Sequence, residues 1–205
     1  MMKWLVHACC LALIIFFCAS HESCVPKPII DEDAQFCSVD LQVNFPGIGN
    51  VACQHIPACN HYIQKLVNSW DMPEITYTNA KTGMSYVVII ADPDAPSREN
   101  PIRKYWRHLL VVDVPGEDLK RGDILAGTIL SEYSAPSPPK RTGYHRYQTF
   151  VYMQHPGTTP KLLPEEKQSL GNWDPYAFAA RYKLVGPLSK TQFMAQNPED
   201  EAHDL

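Results

Sequence analysis

Proline sets the first limit on this chain. Eighteen of its 205 residues are proline, well above the roughly 5% background of ordinary proteins. The ring holds φ at about −65° and removes an N–H donor, so helix interiors and central strands reject it. A chain interrupted this often is mostly turn, loop and short strand, which argues against a helical bundle. With 45% hydrophobic and 20% charged residues it still has enough apolar content for a core. Its length suits one domain of roughly 100 to 200 residues with short appendages. A net charge of −4 argues against nucleic acid as a partner, because such binders concentrate Lys and Arg to displace counterions.

The N-terminus reads MMKWLVHACCLALIIFFCAS, with Lys3, an apolar run from Leu5 to Phe17, then small residues Cys18, Ala19 and Ser20. That order is the pattern of a secretory signal peptide over residues 1–20, cleaved near Ser20. The run is too short for a bilayer span of about 20 apolar residues and it contains His7. No other segment qualifies as transmembrane. Removing Cys9, Cys10 and Cys18 leaves Cys24, Cys37, Cys53 and Cys59, an even set in an oxidising compartment, so two disulfides are expected in one of three pairings. They would staple an N-terminal arm to the domain. Zinc is the weaker reading, because no C-x-x-C pair is present.

Strands are expected over Leu41 to Phe45, Glu74 to Thr78, Met84 to Ala91, Trp106 to Val114 and Arg146 to Gln154, from alternation or β-branched apolar runs between turn residues. One helix is well marked: Asp174 caps it, Pro175 takes the first position, and Tyr176 to Lys183 follows with basic residues at its end. A shorter helix is expected over His61 to Trp70. The resulting division is a signal peptide at 1–20, an arm at 21–36, a β-rich domain at 37–196 and an acidic tail at 197–205 that should fray.

Three segments carry candidate chemistry. In Asp92-Pro93-Asp94-Ala95-Pro96-Ser97-Arg98, each residue before a proline is pushed to extended backbone, so the loop after the apolar strand is stiffened at two points. A fixed carboxylate there can orient a histidine, although a plain turn with aspartates capping amides uses the same residues. In Trp106-Arg107-His108, strand alternation puts Trp106 and His108 on one face with Leu110, and Arg107 on the other. In Gly143-Tyr144-His145-Arg146-Tyr147, His145 and Tyr147 share a face by the same rule. A strand histidine is ordinarily a satisfied core residue. If these two faces meet beside Asp92, however, they make an aromatic-walled hollow with imidazole and phenol donors, suited to a phosphate ester. Two His and one Asp also fit a facial metal triad, but no H-E-x-x-H or G-x-S-x-G segment is present and the mature cysteines are spent on disulfides, so hydrolysis is the weaker reading.

In this order the motifs DPDAPSR, WRH and GYHRY resemble the phosphatidylethanolamine-binding protein family, whose members share D-P-D-x-P-[SR] and G-x-H-R segments beside a ligand pocket. The resemblance covers roughly Leu41 to Phe193. Export, the four cysteines and the stretch GIGNVACQHIPACN make it closest to a secreted branch of that family. It implies a mainly β fold with peripheral helices, in which a large antiparallel sheet packs against a smaller sheet. It places the ligand site on Asp92, Trp106, His108, Pro139, His145 and Tyr147, with backbone near Pro138 at the rim. The expected ligand is a phosphate-bearing small molecule or phospholipid head group, bound without turnover, catalytic residues, cofactor or metal. Several members act as signalling modulators or protease inhibitors through protein contacts, so a signalling partner is the alternative. Extracellular release or routing to lysosomes fits the signal peptide equally. Two departures stand out: Ser137 replaces a rim glycine common in relatives, and an acidic stretch after Asn197 replaces a C-terminal helix that closes the mouth.

Overall fold

A computed structural model describes residues 24–57, 59–68 and 72–200. The signal peptide, Trp70 and residues 201–205 of the tail lie outside the described residues. Among the described residues ten strands form two sheets. In chain order the elements are β1 (Lys27–Pro28), β2 (Leu41–Phe45), β3 (Gly49–Asn50), β4 (Gln54–His55), α1 (Tyr62–Asn68), β5 (Glu74–Tyr77), β6 (Ser85–Asp92), β7 (Trp106–Pro115), α2 (Gly116–Leu119), β8 (Thr128–Ser131), β9 (His145–Gln154), α3 (Pro175–Arg181) and β10 (Val185–Ala195). The large sheet runs β1-β4-β10-β9-β6-β7-β8 and the small one β3-β2-β5. The mainly β, two-sheet class expected from the sequence is therefore the observed one.

The large sheet is covered on both faces, which explains why β6 reads as an unbroken apolar run rather than an alternation. Val88, Ile90, Leu109 and Val111 pack with Leu41, Ile75 and Tyr77 of the small sheet. Val87, Ile89, Leu110 and Phe150 pack on the other side with Trp173 and Phe178 at α3. A third cluster joins Val43 and Phe45 to Ile63 and Leu66 of α1 and to Tyr147 and Phe193. Asp174 caps α3 as expected, its carboxylate accepting from the N–H groups of Tyr176 and Ala177.

The large sheet is mixed rather than wholly antiparallel. β4 runs parallel to β10, with Phe193 opposite Gln54 and Met194 opposite His55, while β1 pairs antiparallel with β4. The cause lies in the cysteine-bearing segment, which returns along the free edge of β10: Cys53 N–H donates to Gln192 O at 2.7 Å and Ile56 N–H to Met194 O at 2.8 Å. Cys24 pairs with Cys59 and Cys37 with Cys53, which ties the chain ahead of β2 across this edge and shields it. Ile29 there is buried.

β10 has no counterpart among the expected strands. Its sequence VGPLSKTQFMA breaks at Gly186-Pro187, and three of its buried positions, Ser189, Thr191 and Gln192, are polar. Ser189 Oγ donates to Asp40 Oδ1 at 2.6 Å, and Gln192 accepts from Gln148 Nε2 at 3.0 Å while donating to Asp33 O at 2.8 Å. Ser189 and Gln192 are satisfied in this way, Thr191 Oγ1 has no partner among the described residues, and polar side chains at buried positions hide the period of the strand from a hydrophobic pattern.

Candidate functional site

Adjacent strands β9, β6 and β7 end together, and the candidate residues sit at that end. Asp92 closes β6 opposite Trp106, the first residue of β7, and His145 opens β9. In the β6–β7 register Ile90 faces Leu109 but Ala91 faces Arg107, leaving His108 as an extra residue on β7. This bulge bends the parity of the strand. Trp106 and His108 share a face as expected, but Leu110 does not join them: it packs on the opposite side of the sheet with Trp173. Arg107 also faces that side, its guanidinium 5.0 Å over the Trp173 ring and its Nη2 donating to Glu166 O at 2.8 Å.

Asp92, Trp106, His108, Pro139, His145 and Tyr147 all line one cavity of about 430 Å³. Its floor is a continuous polar chain. Asp92 Oδ1 accepts from Asp94 N–H at 2.7 Å, and Asp92 Oδ2 lies 2.8 Å from His145 Nδ1. His145 Nε2 lies 3.0 Å from Thr142 Oγ1, which donates to Pro139 O at 2.7 Å. One network thus runs from the β6 carboxylate to the rim. His108 Nδ1–H donates to Ser134 O at 2.6 Å, which fixes the neutral tautomer with the lone pair on Nε2. Burial holds its pKa below the ordinary histidine value, outweighing the Ser134 hydrogen bond and the Asp92 charge. Tyr147 lies edge-on to His108 with centroids 5.2 Å apart and stacks on Phe193 at 5.0 Å. Burial, then the Asp92 charge, push its phenol pKa well up, so it presents a neutral O–H.

Sequence reasoning missed the pair that locks the two motifs together. Asp94 is 1% exposed and binds Arg146 three times, accepting from backbone N–H at 2.9 Å, from Nε at 2.9 Å and from Nη2 at 2.6 Å. Asp92 grips His145 and Asp94 grips Arg146, so alternate acids of DPD hold neighbouring bases of GYHRY. The signal was present as two acids flanking a proline and two adjacent bases. Arg103 also lines the cavity and was not among the expected residues.

The tail does not fray over its first residues. Asn197 Nδ2 donates to Pro138 O at 2.9 Å, Asp200 Oδ1 accepts from Arg141 N–H at 2.7 Å, and Lys140 pairs with Glu199 at 2.7 Å. The segment after β10 is therefore latched to the loop that carries Ser137 and Pro139. An Asn197→Ala variant should raise amide exchange in residues 140–142 by about fivefold, since one net hydrogen bond contributes about 1 kcal/mol. Unchanged protection in that loop would contradict the latch. Among the described residues no three His, Cys, Asp or Glu side chains are grouped as metal ligands, and no helix is long and apolar enough to cross a membrane. Asp92 and His145 face each other rather than a shared centre.

Fold and site together define a two-sheet β protein with a small polar hollow at the strand ends. The chain belongs to the phosphatidylethanolamine-binding protein family, whose sequence profile matches residues 51–188. Among solved structures it is similar to a carboxypeptidase Y inhibitor crystallised with its cognate proteinase, at 22% identity and TM-score 0.57, covering 77% of this chain and 82% of that one. It is also similar to the phosphatidylethanolamine-binding protein of Plasmodium vivax, at 17% identity and TM-score 0.56, covering 83% and 92%. The Plasmodium falciparum protein matches at 19% identity and TM-score 0.52, covering 81% and 89%.

Proposed function

We propose that this chain is an exported, non-catalytic binder of phosphate-bearing ligands, either small phosphate-containing molecules or phosphatidylethanolamine head groups. The observation that carries the reading is the shared cavity: two imidazoles, a phenol and an indole from separate strands border one hollow of about 430 Å³, a volume within the roughly 300–1,000 Å³ range of small-ligand sites. In this reading Tyr147 donates to the phosphate, His145 and Asp92 form the polar floor, Trp106 and Pro139 form the walls, and His108 contributes through Nε2. Family membership supports it. The two disulfides fit an oxidising compartment and support placement in the secreted branch. The binding domain then spans residues 37–196, with the preceding segment stapled to it.

Titration with phosphoethanolamine, followed by NMR of the histidine ring signals, tests the reading. Saturating shifts on His108 and His145 are expected, abolished in a His108→Ala, His145→Ala double variant. Shifts that never saturate, or that survive in the double variant, would sink it.

A second reading, a protein-interaction module of the protease-inhibitor or kinase-signalling kind, draws on the similarity to an inhibitor seen with its proteinase. It overtakes the first if cavity substitutions leave partner binding intact while removal of residues 199–205 or of the N-terminal arm abolishes it.

A further inference from the structure

The basic side chains around the cavity are not equivalent. Arg98 is spent on Asp33 at 2.8 Å, Arg146 on Asp94 at 2.6 Å and Lys140 on Glu199 at 2.7 Å. Arg107 is buried on the opposite face of the sheet. Arg103 is the basic side chain that lines the cavity. Among the described residues its guanidinium has no carboxylate within salt-bridge distance.

Its position is nonetheless fixed. Arg103 N–H donates to Ala95 O at 2.9 Å and its carbonyl accepts from Asn172 N–H at 3.1 Å, which moors the residue between the loop after β6 and the segment leading to α3. A Cβ built on Gly171 would meet both Arg103 Cδ at 3.3 Å and the Trp106 ring at 3.1 Å, so the stem runs beside the indole wall. An exposed cation on an anchored backbone at the cavity wall is arranged to receive an anion that the floor alone cannot neutralise. The floor offers no unpaired cation, because the His145 ring already faces the Asp92 carboxylate at 2.8 Å.

We infer that Arg103 is the anion-selecting residue of this cavity, and that it makes the site prefer phosphomonoesters over phosphodiesters. The inference rests on the binding reading above and narrows its ligand class. A phosphomonoester carries about −1.5 to −2 charge near neutral pH and presents three terminal oxygens. A diester carries one negative charge on two. Only the monoester can keep two oxygens on the fork of Arg103 and still offer a third to Tyr147. Phosphodiester lipids accordingly bind less tightly here than the free phosphorylated head group.

Two ligands with the same amine separate these sources: phosphoethanolamine, a monoester, and glycerophosphoethanolamine, a diester. With the disulfide-bonded chain at pH 7.5 and low salt, the monoester should bind about tenfold more tightly. Arg103→Gln should weaken the monoester by about tenfold or more, in line with a charged hydrogen bond, and change the diester by less than about threefold. Arg103→Lys should fall between, because a point charge lacks the fork. The wild-type preference should shrink as salt is raised, since an exposed cation is screened. If both ligands bind the wild type equally, or if Arg103→Gln keeps the preference, the inference is overturned while the binding reading stands. If neither ligand gives a saturable shift with the wild type, both fall together.

Discussion

Arg146→Met should lower the unfolding free energy of the oxidised protein by about 3 kcal/mol, the lower end of the range for orphaning one member of a buried ion pair. The loss is large because of what stays behind. Asp94 is 1% exposed, and without the guanidinium its carboxylate keeps a single donor, the backbone N–H of residue 146 at 2.9 Å. The reverse change is milder. In Asp94→Asn the arginine, 23% exposed, can still reach Asp33 at 3.4 Å or turn to water. The double variant, Asp94→Asn with Arg146→Met, should recover at least about half of the single-variant loss, because removing both charges leaves no uncompensated ion. Urea unfolding of the four proteins closes the cycle. A loss under about 1 kcal/mol in Arg146→Met, or a double variant no better than that single, would show that the pair does not hold the two motifs together. The His145 ring signals give a further readout, because the same loop carries Asp92 and its grip on His145 Nδ1 at 2.8 Å.

That pair also shows where sequence reading stops. Runs such as YVVII and LLVV mark strands because burial on both faces leaves no room for polar residues, and Asp174-Pro175 marks α3 because cap chemistry is local. Trp106, His108, His145 and Tyr147 are legible for a similar reason, since each pair sits on one strand end where alternation sorts the side chains, whereas Pro139 is reached only through the family resemblance. A contact between Asp94 and Arg146 spans 52 residues, and no local period encodes it. Alternation puts Leu110 on the wrong face because the rule carries no warning of an inserted residue, here His108. β10 escapes a hydrophobic pattern because its buried positions Ser189, Thr191 and Gln192 are polar, two of them satisfied by side-chain hydrogen bonds, and only Phe193 to Ala195 are apolar. The acidic composition of 197–205 predicts fraying and misses the contacts of Asn197–Asp200, because their partners, Pro138 O and Arg141 N–H, are backbone groups of a distant loop. Composition alone cannot announce such partners.

Anion affinity should rise as pH falls, by up to about tenfold per unit, because His108 cannot donate to an anion in its resting state. Its Nδ1–H is committed to Ser134 O at 2.6 Å, and Nε2 carries a proton only in the imidazolium. Burial lowers the pKa of His108 in the free protein, so above pH about 6.5 the ring is neutral in both folded and unfolded chains. Two consequences follow, of opposite sign. Without ligand, stability attributable to this ring is intact above the unfolded pKa of about 6.5 and declines as pH falls through the lower folded pKa, by at most about 1.4 kcal/mol per unit. With an anion bound, the added negative charge favours the imidazolium, so binding takes up a proton wherever pH lies between the free and bound pKa values. Sulfate is the suitable probe, because its own charge does not change over this range. The logarithm of its association constant should fall with pH at a slope approaching −1, and His108→Gln should flatten that slope while retaining weaker binding. His145 is the other imidazole facing the hollow, already held by Asp92, and the site-resolved shifts of the two rings tell which one takes the proton. A flat pH profile in the wild type, or a slope that persists in His108→Gln with the proton arriving on His145, would remove His108 from anion recognition and leave Tyr147 and Arg103 as the donors.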